Sequence, residues 1–198
     1  DSVERLQYYL PEFDLQLNFH PMDFTQINAG INRKIISQAL SLLELSEDDT
    51  VLDLFCGLGN FTLAAARRAK KVVGVEGSQE MVIRGSENAS LNGLSNIEFH
   101  AADLFQPVSE KDWAAQQYSK IILDPPRSGA IEIIPEIANL GAKIIVYVSC
   151  NPATLARDAA ELISAGYQLR ATGVMDMFPH TTHVESMAVF DTGKRPRK

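Results

Sequence analysis

Seven short apolar runs recur along the chain, at Val51 to Phe55, Lys71 to Glu76, Asn96 to Ala101, Lys120 to Asp124, Lys143 to Ser149, Leu169 to Met175 and Val184 to Asp191. Segments of helical periodicity precede or separate them, near Ile31 to Leu43, Phe61 to Ala69, Ser78 to Asn92, Ile131 to Asn139 and Pro152 to Ala165. Runs such as VLDLF, KIILD and KIIVYV are apolar at successive positions, so both faces of each strand need cover, and only a mostly parallel sheet between two helical layers supplies it. The pattern predicts a doubly wound α/β domain. Ligands in such folds sit at the carboxyl ends of the strands, which turns any polar residue that ends a strand into a candidate for function. Four segments qualify: DLFCGLGN, VVGVEG, IILDPPR and IVYVSCNP.

The first 29 residues differ, since LQYYLPEFDLQLNFHP reads as β-hairpin. Residues 1–29 are therefore expected to be a β extension, the end of a preceding domain, with one α/β domain over 30–191 and a basic tail over 192–198. That tail holds Lys194, Arg195, Arg197 and Lys198, while the whole chain carries a net charge of −7. An acidic body argues against a general phosphate-tracking surface. No stretch approaches the ~18 consecutive apolar residues of a membrane span. Cys56 and Cys150 form no CxxC pair and no disulfide framework. The chain is expected to be a cytoplasmic monomer with free thiols and no membrane contact, and, opening at Asp1 rather than Met, a piece of something longer.

Asp53 lies in the first α/β strand, followed by Cys56, Gly57, Leu58, Gly59, Asn60 and a helix. The glycines allow a tight turn and close approach to a ligand. A dinucleotide fingerprint needs a third glycine at position 62, which is Thr62. An oxidoreductase of the dinucleotide class therefore stands as the weaker alternative. Glu76 ends the next strand, where its carboxylate can accept hydrogen bonds from both hydroxyls of a ribose, and Asp103 ends the third, where it can receive the exocyclic amine of adenine. In this order the features resemble the S-adenosylmethionine site of class I methyltransferases.

Asp124 opens DPPR, a stiff loop after a buried strand. Enzymes that methylate adenine amines carry an aromatic as the fourth residue of a similar loop; here it is Arg127, which argues against that substrate. Cys150 ends the following strand at the start of a helix containing Pro152, where the positive end of the helix dipole favours a thiolate. Cys150 is thus a candidate nucleophile, and Glu185, in FPHTTHVESM, a candidate base. His180 and His183 stand near Glu185, but HxxHxE matches no familiar ligand spacing, so no metal is expected and the histidines are read as orienting the base or touching RNA.

The motifs FTQIN, DLFCGLGNFTL, VVGVE, DPPRSG, YVSCNPATLARD and DMFPHTTHVESM closely resemble those of the RNA uracil-C5 methyltransferase family, nearest its bacterial 23S rRNA branch, from about Phe13 onward. The resemblance implies a Rossmann-like class I methyltransferase fold with a seven-stranded sheet, S-adenosyl-L-methionine as cofactor and 23S rRNA as partner, tRNA being the alternative. It assigns Gln26, Phe55, Gly57, Asn60, Glu76, Asp103 and Asp124 to cofactor binding, Cys150 to nucleophilic attack and Glu185 to proton removal. Uracil C5 is a poor nucleophile, and addition of a thiolate at C6 activates it, which gives that cysteine its reason. Members acting on rRNA also carry an N-terminal oligonucleotide-binding β-barrel and a four-cysteine iron–sulfur domain. Two cysteines cannot supply the latter, so an iron–sulfur cluster is implied only for a part absent from this chain.

Overall fold

The computed structural model describes residues 5–26, 28–176 and 184–193. A β-hairpin, β1 (Leu6–Leu10) and β2 (Leu15–Phe19), precedes helix α1 (Ala29–Leu43). The α/β body then runs β3 (Thr50–Leu54), α2 (Asn60–Ala66), β4 (Lys71–Glu76), α3 (Gln79–Leu91), β5 (Ile97–Ala101), β6 (Lys120–Leu123), α4 (Ile134–Ile137), β7 (Ile144–Ser149), α5 (Pro152–Ser164), β8 (Gln168–Met175) and β9 (Glu185–Asp191). Seven strands form one sheet in the order β5-β4-β3-β6-β7-β9-β8. Only β9 runs against its neighbours, antiparallel to both β7 and β8. The mostly parallel seven-stranded sheet expected from the strand count is therefore the observed one.

Alternation along the strands divides the core into two layers. Val51, Val72, Ile122 and Val146 face α1, α2 and the hairpin. Their neighbours Leu52, Val73, Ile121 and Ile145 face the other way, against Trp113, Ile133, Leu155 and Leu162. Asp53 shares the parity of Val51, which turns its carboxylate toward α2, where Thr62 Oγ1 donates to Asp53 Oδ2 at 2.6 Å.

The expected helix over Ile131 to Asn139 shrinks to α4 and a 3-10 turn, Ala138–Leu140. Pro135 stands in its first turn and Gly141 ends it at φ 79°, so the apolar spacing of Ile133, Ile134, Ile137 and Leu140 is used in barely two turns. Asn88 on α3 and Asn92 at its C-cap hold the hairpin. Asn92 Nδ2 donates to Gln16 O at 2.7 Å and Asn92 Oδ1 accepts from Gln16 N at 2.9 Å. Asn88 does the same for Asn18, at 3.1 and 2.9 Å. Four residues of helix rise about 6 Å and two residues of strand about 6.6 Å, so amides at i and i+4 of α3 match alternate residues of β2 and complete its free edge.

Candidate active site

The carboxyl ends of β3, β4, β5, β6 and β7, with the start of β9, open onto one cavity of about 660 Å³. Such a volume suits a ligand of nucleoside size. Gln26, Phe55, Gly57, Asn60, Glu76, Asp103, Asp124, Cys150 and Glu185 all line it, so every site residue chosen from sequence converges on one space.

The turn after β3 is conformationally demanding. Phe55 takes φ 64°, rare for a residue with a side chain, which ends β3 one residue earlier than the apolar run suggests. Gly59 at φ 96° caps α2, and a Cβ there would overlap Leu63. Glu76 ties the turn to β4: its Oε2 accepts from Gly57 N at 3.0 Å and its Oε1 from Ser78 N at 3.1 Å. A carboxylate has about four acceptor positions, so lone pairs remain for two ligand hydroxyls. Asp103 Oδ1 accepts from Phe105 N at 3.0 Å, and the Phe105 ring leans on Phe55 at 5.8 Å between centroids. These two rings give the cavity an aromatic wall, of which the sequence motifs indicate only Phe55; the position of Phe105 two residues past Asp103 is the signal for the other.

Asn60 is more committed than its sequence role implies. Its Oδ1 accepts from Tyr8 OH at 2.9 Å and from Asn32 Nδ2 at 3.2 Å, and its Nδ2 donates to Asn32 Oδ1 at 2.9 Å. Gln26 lies on the segment that follows β2. Asp23 steadies that segment by accepting from His20 N at 2.6 Å and by pairing with Arg84, whose Nε is 3.0 Å away though poorly aligned for a hydrogen bond.

At the other end of the cavity, β7 and β9 pair Ser149 with Ser186. Cys150 follows the first and Glu185 precedes the second, so the antiparallel pairing of β9 with β7 places the two residues opposite each other at the carboxyl end of β7, where both line the cavity. Burial pushes the Glu185 carboxyl above its usual range. The Asp124 carboxyl is pushed well up by burial, then by the charges of Glu185 and Asp53. The Cys150 thiol is also raised, first by burial and then by Glu185 and Asp124, with Arg127 acting in the opposite sense. This is opposite to the direction expected from the helix dipole alone, because burial of the thiol, and after it the two nearby carboxylates, disfavour its charged form.

The arrangement offers a shielded thiol, a buried base able to hold a proton, and a cavity lined by carboxylates with Arg127 as its basic residue. A ligand bearing a cationic centre together with hydroxyl and amine donors satisfies this set of acceptors, and its charge would favour ionisation of Asp124. Among the described residues no three His, Cys, Asp or Glu side chains gather at metal-ligand spacing. His180 and His183 lie outside the described residues, as do the four basic residues of the tail. No helix among the described residues is long and apolar enough to cross a membrane.

The family model tRNA (Uracil-5-)-methyltransferase matches residues 10–192. The 23S rRNA (uracil(1939)-C(5))-methyltransferase RlmD of Alcanivorax borkumensis is 64% identical over 195 residues, covering 98% of this chain and 44% of its own length. Its namesake from Hahella chejuensis is 58% identical, covering 96% of this chain and again 44% of its own. This chain thus spans less than half the length of these curated relatives. Among solved structures, the Pyrococcus abyssi tRNA (uracil-54, C5)-methyltransferase in complex with S-adenosyl-L-homocysteine superposes with a TM-score of 0.81 at 29% identity, over 94% of this chain and 44% of that one.

Proposed function

Because this chain belongs to the tRNA (uracil-5-)-methyltransferase family, we propose that it is the catalytic part of a cytoplasmic, monomeric enzyme that uses S-adenosylmethionine to methylate uracil C5 in 23S rRNA. The observation that carries this reading is the pairing of Ser149 with Ser186, which sets Cys150 opposite Glu185 at the cavity that Glu76 and Asp103 also line. Relatives at 64% and 58% identity named for 23S rRNA support that substrate over tRNA, for which the solved structure stands at 29%. The preceding domain implied by residues 1–29 belongs to the same reading, with the hairpin as its last element and RNA affinity concentrated in the longer protein.

S-adenosylmethionine fits this set of acceptors, and when bound it supplies an electrophilic methyl group. Glu76 would receive the two ribose hydroxyls and Asp103 the adenine amine. Phe55 and Phe105 give the base its aromatic wall. Gln26, Gly57 and Asn60 complete the walls, and Asp124 would face positive charge. Cys150, its thiol proton given up to solvent, then attacks uracil C6 as the thiolate: the S–C6 bond forms, the C5=C6 double bond opens, and its electrons make C5 the nucleophile that takes the methyl. Glu185 removes the remaining proton from C5, the double bond re-forms, and the S–C6 bond breaks to release the thiolate. Its raised proton affinity suits this, since the carboxylate must hold the proton it receives.

The test is methylation of a 23S rRNA transcript by the full-length protein, read by mass spectrometry of nucleosides. Wild type is expected to form 5-methyluridine, Cys150→Ala none, and Glu185→Gln a methylated RNA held covalently on the protein. Turnover by Cys150→Ala would overturn the reading.

A further inference from the structure

We propose that Asp158, on the second turn of α5, is a positioning residue that holds the loop bearing Asp124 and Arg127 in register with Cys150; the proposal rests on the reading of Cys150 as nucleophile. Asp158 has no exposed surface, yet its carboxylate accepts three hydrogen bonds and pairs with a guanidinium. Its Oδ2 accepts from Tyr147 OH at 2.6 Å and from Ala130 N at 2.7 Å. Its Oδ1 accepts from Arg157 Nε at 2.8 Å, and Nη2 of the same guanidinium fork is 2.7 Å away as an ion pair. Arg157 Nη2 also donates to Ser128 O at 2.8 Å, and Asn151 Nδ2 donates to Arg127 O at 3.0 Å.

Three backbone groups of the loop, at Arg127, Ser128 and Ala130, are thus gripped by side chains of the segment that begins immediately after the thiol. Gly129 completes the fit: at φ 84°, a Cβ there would come within 2.5 Å of both Asp158 Oδ2 and Arg157 Nη2. Tyr147 adds a tie to β7, three residues before Cys150. The loop and the thiol therefore move as one body, and Asp124 and Arg127, whose charges act on the thiol in opposite senses, keep fixed places beside it. A buried carboxylate with all its partners is stable, whereas one that loses them is costly, so the clamp holds one arrangement. Small displacements of reacting groups cost rate steeply.

The experiment measures two quantities on the full-length protein: the rate of covalent adduct formation with a 23S rRNA transcript containing 5-fluorouridine, and calorimetric affinity for S-adenosylhomocysteine. Asp158→Asn is expected to slow adduct formation about tenfold or more while leaving S-adenosylhomocysteine affinity within about twofold. A merely structural role would instead lower both together, and that result, or an unchanged adduct rate, overturns the proposal. If Asp158→Asn does not fold, Arg157→Lys decides, because that half-exposed side chain keeps its charge but loses the fork. It too is expected to slow the adduct and spare cofactor affinity; a wild-type rate overturns the proposal. A wild-type protein that forms no adduct removes the Cys150 reading itself, and this proposal with it.

Discussion

Replacing Asp53 by Asn should make the protein more stable at neutral pH, an unusual outcome for a core substitution. Asp53 is fully buried in the middle of β3; Thr62 satisfies Oδ2, and Oδ1 has no hydrogen-bond partner among the described residues. Burial, reinforced by the charge of Glu76, raises its pKa from 3.8 to about 7. The sign follows from linkage: between those values the folded state holds a proton that the unfolded chain has released, so stability falls as pH rises from 3.8 to about 7 and then levels off. At about 1.4 kcal/mol per pH unit the full loss is about 4 kcal/mol, of which about 3 kcal/mol falls between about pH 5 and about pH 8. Asn keeps the size and the acceptor for Thr62 but cannot ionise. Urea unfolding of both proteins at the two pH values reads the effect, and the stability difference between Asn and wild type should grow by about 3 kcal/mol toward the higher pH. The group interacts with Glu76 and Asp124, so its ionisation is coupled to two carboxylates that line the cavity. If variant and wild type track each other within about 0.5 kcal/mol, the electrostatic argument for the cavity fails.

Glu185→Gln should lower the pH midpoint for alkylation of Cys150 by iodoacetamide, because it removes a negative charge that raises the thiol; an unchanged or higher midpoint would separate the two groups. Asp124→Asn should weaken S-adenosylmethionine more than S-adenosylhomocysteine, by about tenfold in the ratio of dissociation constants, because only the former carries a sulfonium; equal losses in titration calorimetry would deny Asp124 its electrostatic role. Asn88→Ala should destabilise the protein by about 2–4 kcal/mol, since the peptide groups of Asn18 lose their partners, and a melting temperature within about 1 °C of wild type would show that α3 does not hold the hairpin.

Legibility from sequence followed the range of the interaction. Strand ends could be read because a sheet apolar on both faces announces itself residue by residue, and Glu76, Asp103 and Asp124 each follow such a run. Cys150 and Glu185 could be chosen by chemistry and motif. Their apposition could not, because it depends on β9 running antiparallel to β7, a fact of topology between residues 35 positions apart. The direction of the Cys150 perturbation was hidden for the same reason: the dipole is local to α5, whereas the burial that raises the thiol, and the charges of Asp124 and Glu185 that add to it, come from other strands. Tyr8 and Asn32 reach Asn60 from 52 and 28 residues away, and Asn88 and Asn92 meet β2 across 70 and 76. Amides at those positions read as ordinary helix surface until the hairpin is folded onto them. Asp158 was legible only as part of a motif, since its partners lie on β7 and the DPPR loop.

Catalysis as proposed depends on a carbon–sulfur bond between Cys150 and the pyrimidine. Trapping the full-length protein on a 5-fluorouridine-substituted 23S rRNA transcript in the presence of S-adenosylmethionine, followed by nuclease and protease digestion, identifies the attached residue by mass. The expected result is a methylated fluoropyrimidine carried on the peptide that contains Cys150. A nucleotide attached to any other residue, or an unmodified Cys150 after productive methylation of ordinary RNA, would contradict it.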